Sequence, residues 1–91
     1  MAELLFSSVR EARLHEEVGR QIARRIVVGS FPAGSALPAE SELIASFGVS
    51  RAVIREALRS LETCGMVIVR HGRRTIVTAQ SEGDVLNRLV L

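Results

Sequence analysis

Apolar positions recur with a helical period in the first part of this chain. Between residues 12 and 28 the apolar residues are spaced by four, and charged residues fill the other positions. The spaced residues are Leu14, Val18, Ile22 and Ile26. This period predicts an amphipathic helix of about four turns, and Gly29 followed by Ser30 is expected to end it. His15, early in this helix, is expected to be exposed to solvent.

A second, shorter helix is predicted from Pro38 to Phe47. Proline suits the first position of a helix because its missing N–H would have no partner there. Acidic residues follow in the first turns, where they interact favourably with the helix dipole. Leu43, Ile44 and Phe47 supply the apolar face, and Gly48 ends the helix.

A third helix is predicted from Arg51 to about Thr63, with Ser50 as its N-cap. At about 100° per residue, four apolar residues fall in one arc of this helix. They are Ile54, Ala57, Leu58 and Leu61. Gly65 is expected at the C-terminal end.

Two strands are predicted after the third helix. Residues 66–70 and 75–78 are rich in β-branched residues, and a basic glycine turn, His71-Gly72-Arg73-Arg74, separates them. Ala36 and Leu37 could add a very short strand. The predicted fold is mainly α with a small β-hairpin, a three-helix winged helix-turn-helix.

The charge of the chain is concentrated where such a fold would meet DNA. The net charge is only +2, but residues 50–74 hold six arginines and two glutamates, a net charge of +4. Arg51, Arg55 and Arg59 are spaced by four residues and form a stripe beside the apolar arc. Arginines in this arrangement can contact phosphates and guanine bases.

Other classes of function find little support in the composition. The sequence has two histidines far apart, no lysine, no phosphate-binding glycine motif and no Cys/His metal spacing, so neither an enzyme nor a cofactor or metal is expected. With three phenylalanines as the only aromatic residues, base-stacking on single strands is disfavoured. A single cysteine, Cys64, and the lack of a long apolar run favour a cytoplasmic protein without membrane contact.

The domain organisation predicted from these patterns has three parts. Residues 1–11 form an N-terminal tail, residues 12–79 the winged helix-turn-helix, and residues 80–91 a linker towards an absent C-terminal effector domain. The last segment contains apolar residues at helical spacing without a partner: Val85, Leu86, Leu89, Val90 and Leu91.

Several segments together resemble one family. They are Leu37-Pro38-Ala39-Glu40-Ser41-Glu42-Leu43, Phe47-Gly48-Val49-Ser50-Arg51, Arg55-Glu56-Ala57-Leu58-Arg59-Ser60-Leu61-Glu62 and Gly65-Met66-Val67. They are similar to the DNA-binding domain of the GntR family of bacterial transcription regulators, over about residues 12–78. The wing, His71-Gly72-Arg73, resembles the fatty-acid-regulator (FadR-like) subgroup. In that subgroup a C-terminal helical domain binds a small-molecule effector and forms the dimer interface.

The resemblance implies a set of DNA-contacting residues. Ser50, Arg51 and Arg55 would lie at the DNA, Ala52 and Val53 where base or methyl contacts are often made, and His71 and Gly72 at the wing tip. From the residues themselves, Arg73 is expected to contact the DNA backbone. Arg59 either contacts a phosphate or pairs with Glu56 or Glu62.

The chain departs from the family pattern at three positions. Ser41 stands where an arginine often touches DNA, Ala39 replaces a common Ser or Thr cap, and Arg74 replaces a second wing glycine.

The function expected from sequence is the DNA-binding domain of an effector-responsive repressor. The intact protein would bind a pseudo-palindromic operator as a homodimer, whereas the 91-residue chain would be largely monomeric. The alternative is a winged-helix module that binds protein rather than specific DNA.

Overall fold

Three helices and a two-stranded antiparallel sheet follow one another in the computed structural model, which describes residues 8–70 and 72–78. The elements are α1 (Ser8–Val27), α2 (Glu40–Phe47), α3 (Arg51–Thr63), β1 (Val67–Ile68) and β2 (Ile76–Val77). The predicted fold class, a three-helix winged helix-turn-helix, is confirmed. The predicted linker 80–91 and wing residue His71 lie outside the described residues.

The core lies where α1, α2 and α3 meet the hairpin. Its largest side chains without solvent exposure are Leu37, Ile54, Met66, Val67 and Val77. The predicted apolar stripe of α1 is only partly confirmed, since Val18 and Ile22 are buried whereas Leu14 and Ile26 are half-buried at its edge. Burial of each such side chain stabilises the fold by roughly 1.5–3 kcal/mol. Because these side chains come from different elements, the stability of this small core depends on all of them. His15 of α1 is half-buried, so the expectation that it is exposed was wrong.

The ends of α2 and α3 have clear local causes. Gly48 has φ 66° and its N–H donates to the Ile44 carbonyl, which ends α2. The Ser50 hydroxyl accepts a hydrogen bond from the Val53 N–H at 3.2 Å and caps α3. Gly65 follows α3 with φ 76°, a conformation that glycine adopts without steric cost. Gly48 and Ser50 therefore define the turn between α2 and α3, and Gly65 lies just beyond the end of α3.

The sheet is extended by a segment that precedes α2. Val67 pairs with Val77 and Ile68 with Ile76, and Ala36 forms an isolated bridge to Ile76 on the other side of β2. The very short strand predicted at Ala36 and Leu37 is thus present only as a single bridge at Ala36. Both hairpin strands are shorter than the sequence predicted.

Two helix boundaries differ from prediction. Helix α1 begins at Ser8, four residues before the predicted start, so residues 8–11 are helical and not part of a tail. Helix α2 begins at Glu40, with Ala39 as its N-cap. Pro38 therefore precedes the helix and does not open it.

Candidate nucleic-acid interface

Helix α3 presents a basic face to solvent. Ser50, Arg51, Ala52, Arg55 and Arg59 are all exposed. The four-residue spacing of the three arginines places them along one side of the helix, because a helical turn takes 3.6 residues. The predicted stripe is therefore present and accessible.

Val53 does not belong to this face. It is 2% exposed and packs in the hydrophobic core, while its backbone N–H is bound to the Ser50 hydroxyl. The prediction that its side chain contacts a base or methyl group is therefore wrong. Val53 lies at the border of the apolar arc of α3. The other elements of the core pack against this border and bury the Val53 side chain.

Glu40, at the start of α2, holds two of the arginines. Its Oε1 accepts hydrogen bonds from Nη1 of Arg51 at 2.9 Å and from Nε of Arg55 at 3.2 Å. The arginine side chains remain about 60% exposed. Exposed ion pairs contribute little to stability, typically 0–1 kcal/mol, so the main effect of this contact is to orient the two guanidinium groups.

Sequence reasoning missed the role of Glu40. It assigned the residue only to the acidic first turn of α2. The contacts join residues 11 and 15 positions apart, and no local periodicity connects such positions. Glu40 belongs to the family-like segment Leu37-Pro38-Ala39-Glu40. That segment could have marked Glu40 as functional, but it does not indicate which residues the carboxylate contacts.

Glu42 connects the same turn of α2 to the wing. Its Oε1 accepts a hydrogen bond from the Ala39 N–H at 2.9 Å and another from Nη2 of Arg74 at 3.3 Å. Ala39 has no side-chain acceptor for the free N–H groups of α2, as the sequence predicted. The first turn of α2 thus contacts both α3 and the wing.

Arg59 pairs within its own helix. Its Nη1 donates to Oε1 of Glu56 at 3.0 Å, which agrees with one of the two pairings expected for it. Both side chains are at least half exposed, so a phosphate could displace the glutamate.

The wing is anchored to α3 through Glu62. The Glu62 carboxylate accepts a hydrogen bond from the Val69 N–H at 2.9 Å, just beyond β1. At the tip Gly72 has φ 66°, a conformation that glycine adopts without steric cost, in the glycine turn that the sequence predicted. Arg73 and Arg74 follow it and are exposed. The wing therefore adds two cations at a position fixed relative to α3.

An open groove runs between α3 and the wing. Its basic lining comes from both elements: Arg55, Arg70, Arg73 and Arg74. Glu40 lies at one side. A groove with this charge suits the phosphates of a nucleic-acid backbone. On α2, Ser41 is exposed and supplies no cation where the family pattern often has one.

Neither a metal-ligand cluster nor a membrane-spanning helix is present in the part of the chain that the structure describes. Residues 8–70 and 72–78 contain no group of three potential metal ligands. Within the same residues, no helix is both long enough and apolar enough to cross a membrane.

The model of the gntR family of bacterial regulatory proteins matches residues 14–77. This match covers most of α1 and all of the later elements. The chain belongs to the gntR family. Its winged helix is the DNA-binding domain of that family, which confirms the family resemblance seen in the sequence.

Individual relatives support the assignment. The chain is 48% identical over 62 residues to the HTH-type transcriptional regulator Mce2R of Mycobacterium tuberculosis, covering 68% of this chain and 26% of that protein. It is 41% identical over 70 residues to the fatty acid metabolism regulator protein of Shewanella halifaxensis, covering 77% of this chain and 29% of that protein. Both relatives are named as regulators, one of transcription and one of fatty acid metabolism. The chain spans less than a third of their length.

A solved structure shows the same fold bound to DNA. The crystal structure of AraR(DBD) in complex with operator ORR3 superimposes with a TM-score of 0.69 at 32% identity, covering 71% of this chain and 78% of that one. The likeness extends over most of the residues that the structure describes here.

Proposed function

We propose that this gntR-family domain binds double-stranded DNA sequence-specifically, with the N-terminal half of α3 in the major groove and the wing beside it. The observation that carries the proposal is the exposed pair Arg51 and Arg55, which Glu40 holds on one face of α3. An operator complex of a similar domain supports the choice of duplex DNA.

The residues have different proposed roles. Arg51 and Arg55 read base edges, because a guanidinium can donate two parallel hydrogen bonds to guanine. Ser50 and Ala52 lie close enough to the same end of α3 to contact phosphate or a thymine methyl group. Arg59 and Arg73 contact phosphates, which fix the position of the domain without reading sequence.

The wing tip completes the proposed interface. Gly72 and His71 approach the sugar-phosphate edge of the adjacent groove. The His71-Gly72-Arg73 sequence and the 41% identity to a fatty acid metabolism regulator support placing the chain in the FadR-like subgroup.

At the level of the whole protein, we infer a cytoplasmic, effector-responsive repressor that binds a pseudo-palindromic operator as a homodimer. The aligned part of this chain is less than a third of each relative, which leaves room for a second domain to bind the effector and form the dimer. Repression fits a DNA-binding domain, because a protein bound at the operator can by itself keep other proteins from binding there.

The experiment that tests DNA binding is a salt titration with a defined probe. A random-sequence duplex pool is taken through rounds of selection on the 91-residue chain, and affinity for the selected duplex is measured at increasing salt. We expect log K to fall linearly with log salt, with a slope of about −0.9 per phosphate neutralised. A random duplex of the same length is the control for specificity.

The alternative, a module that docks onto protein, predicts a different result. No duplex would be enriched by the selection, and any DNA affinity would be equal for selected and random sequences. The basic groove between α3 and the wing favours DNA over this alternative, because a surface of one charge sign suits the phosphates of a duplex.

A further inference from the structure

Arg70 differs from the arginines of α3 in having no carboxylate partner. Arg51, Arg55 and Arg59 each pair with a glutamate, whereas Arg70 is exposed and forms no ion pair in the part of the chain that the structure describes. A phosphate that approaches Arg70 therefore has no carboxylate to displace. Its charge is fully available to a nucleic-acid backbone.

Arg70 lies in the groove between α3 and the wing. It lines this groove together with Arg55 and Arg59 of α3 and, nearer the wing tip, with Arg73 and Arg74. With α3 in the major groove and the wing beside it, the sugar-phosphate backbone that separates the two DNA grooves passes between these elements. The side of the wing that carries Arg70 faces this backbone.

Glu62 holds the main chain next to Arg70. Its Oε2 accepts a hydrogen bond from the Val69 N–H at 2.9 Å. This N–H lies on the outer edge of the hairpin, because the Thr78 N–H donates to the Met66 carbonyl and the bonding groups alternate between the two sides of an antiparallel strand. The contact therefore joins the last turn of α3 directly to the strand that leads into the wing.

Nothing within α3 favours a carboxylate at position 62. In the last turn of a helix a negative charge lies at the negative end of the helix dipole, which disfavours it. The arginine one turn earlier, Arg59, pairs with Glu56 instead, with 3.0 Å between Nη1 and Oε1. The Glu62 carboxylate is therefore directed to the wing, where the Val69 N–H is its partner.

The hydrogen bond to Val69 also places the residues that follow. Arg70 is the next residue, with its Cα about 3.8 Å further along the chain. The Arg70 carbonyl accepts a hydrogen bond from the Arg73 N–H at 3.3 Å, which closes the turn at the wing tip. Glu62 therefore sets where this turn starts relative to α3.

We infer that Arg70 contacts a phosphate of the duplex and that Glu62 positions it for this contact. The inference rests on the proposed function, because it needs α3 and the wing on one duplex. Arg70 supplies the charge, whereas Glu62 acts through the Val69 main chain and touches no DNA. A carboxylate repels phosphates, so the charge of Glu62 opposes DNA binding while its positioning supports it. This difference in sign makes the two effects separable.

Arg70→Ala tests the phosphate contact. Affinity of the 91-residue chain for the selected duplex and for a random duplex is measured by fluorescence anisotropy over a range of salt concentrations. We expect weaker binding to both duplexes by a similar factor, and a salt slope smaller by about one. Arg24→Ala removes an equal charge from an exposed position on α1 and is the matched control. A salt slope for Arg70→Ala equal to that of the control would overturn the contact.

Glu62→Gln and Glu62→Ala separate positioning from charge. Both variants remove the negative charge, which by itself strengthens binding to any duplex, but only glutamine keeps an oxygen that can accept the Val69 N–H. We expect Glu62→Gln to bind both duplexes at least as tightly as the unsubstituted chain. Glu62→Ala should bind them about tenfold more weakly than Glu62→Gln in about 0.1 M salt, the counterion-release contribution of one phosphate. Equal affinities of the two variants would overturn the positioning role.

A double-mutant comparison tests whether the two residues act together. Arg70→Ala should weaken binding about tenfold in the Glu62→Gln background and much less in the Glu62→Ala background, where Arg70 is no longer held at the phosphate. Urea denaturation verifies that each variant is folded. An equal loss in both backgrounds would show that Arg70 acts independently of Glu62.

Hydrogen exchange of the Val69 amide, measured without DNA, distinguishes failure of this inference from failure of the proposed function. Protection of the amide should fall in Glu62→Ala and persist in Glu62→Gln; equal protection in both would overturn the positioning role. If the unsubstituted chain bound no duplex, the proposed function would be wrong, and the contact of Arg70 with it. If the chain bound DNA and Arg70→Ala behaved like its control, only the inference would be wrong.

Discussion

Arg51 on α3 donates a 2.9 Å hydrogen bond from Nη1 to Oε1 of Glu40 on α2. The same oxygen accepts a bond from Arg55. Two guanidinium groups on one carboxylate are less free to sample other rotamers, so they are partly pre-organised for the bases. A long side chain otherwise loses rotamer freedom on binding, at a cost of about 0.5–1.5 kcal/mol.

Glu40→Ala is expected to lower sequence discrimination while raising the affinity for random DNA. Removing the carboxylate leaves two unrestrained cations, which raises attraction to any DNA while weakening base readout. The ratio of affinities for selected and random duplexes should fall about tenfold, or about 1.4 kcal/mol. Fluorescence anisotropy with both duplexes measures the ratio. Glu56→Ala, which releases only Arg59, is the control and should change the ratio little.

The arginines should separate into two classes when replaced by alanine. Arg51→Ala and Arg55→Ala should each relax base preference at particular operator positions, by about 1–3 kcal/mol. Arg73→Ala should weaken binding to all sequences evenly and reduce the salt slope by about one phosphate. Binding to a set of single-base operator variants distinguishes the two patterns. Equal losses on selected and random DNA for all three variants would contradict these roles.

Val53→Ala should affect stability and not base readout. The residue is buried in the core, so removing two methyl groups should destabilise the domain by about 1–3 kcal/mol. Discrimination between operator variants should stay unchanged under conditions where the domain is folded. Urea denaturation gives the stability change, and anisotropy gives the discrimination. A loss of discrimination at one base position with normal stability would return Val53 to the DNA-contacting residues.

The 91-residue chain should be largely monomeric at tens of micromolar. The three helices and the hairpin bury their apolar faces against one another. The exposed large apolar residues in the described part are few: Val9, Val28 and the adjacent pair Ile68 and Val69. A stable dimer needs on the order of 1,200 Å² of buried surface. Sedimentation velocity provides the measurement. If the chain forms a tight dimer, the dimer interface lies within this domain, and the inference that a further domain supplies it is wrong.

The sequence alone placed all three helices, although α1 and α2 begin at other residues than predicted. The hydrophobic period placed α3 with both boundaries, because Ser50 and Gly65 act on backbone groups within a few residues of themselves. It also predicted the arginine stripe, because residues four positions apart lie on the same side of any helix. These are local relationships, and local relationships can be read from neighbouring positions.

Only the tertiary structure decided what those elements contact. Val53 lies at the edge of an apolar arc, and whether it is buried depends on how the other elements pack against α3. Glu40 reaches Arg51 because α2 and α3 meet at one particular angle, and Glu62 reaches the Val69 N–H because the chain turns back after α3. Such contacts depend on the packing of the whole core, so no period or motif along the chain specifies them.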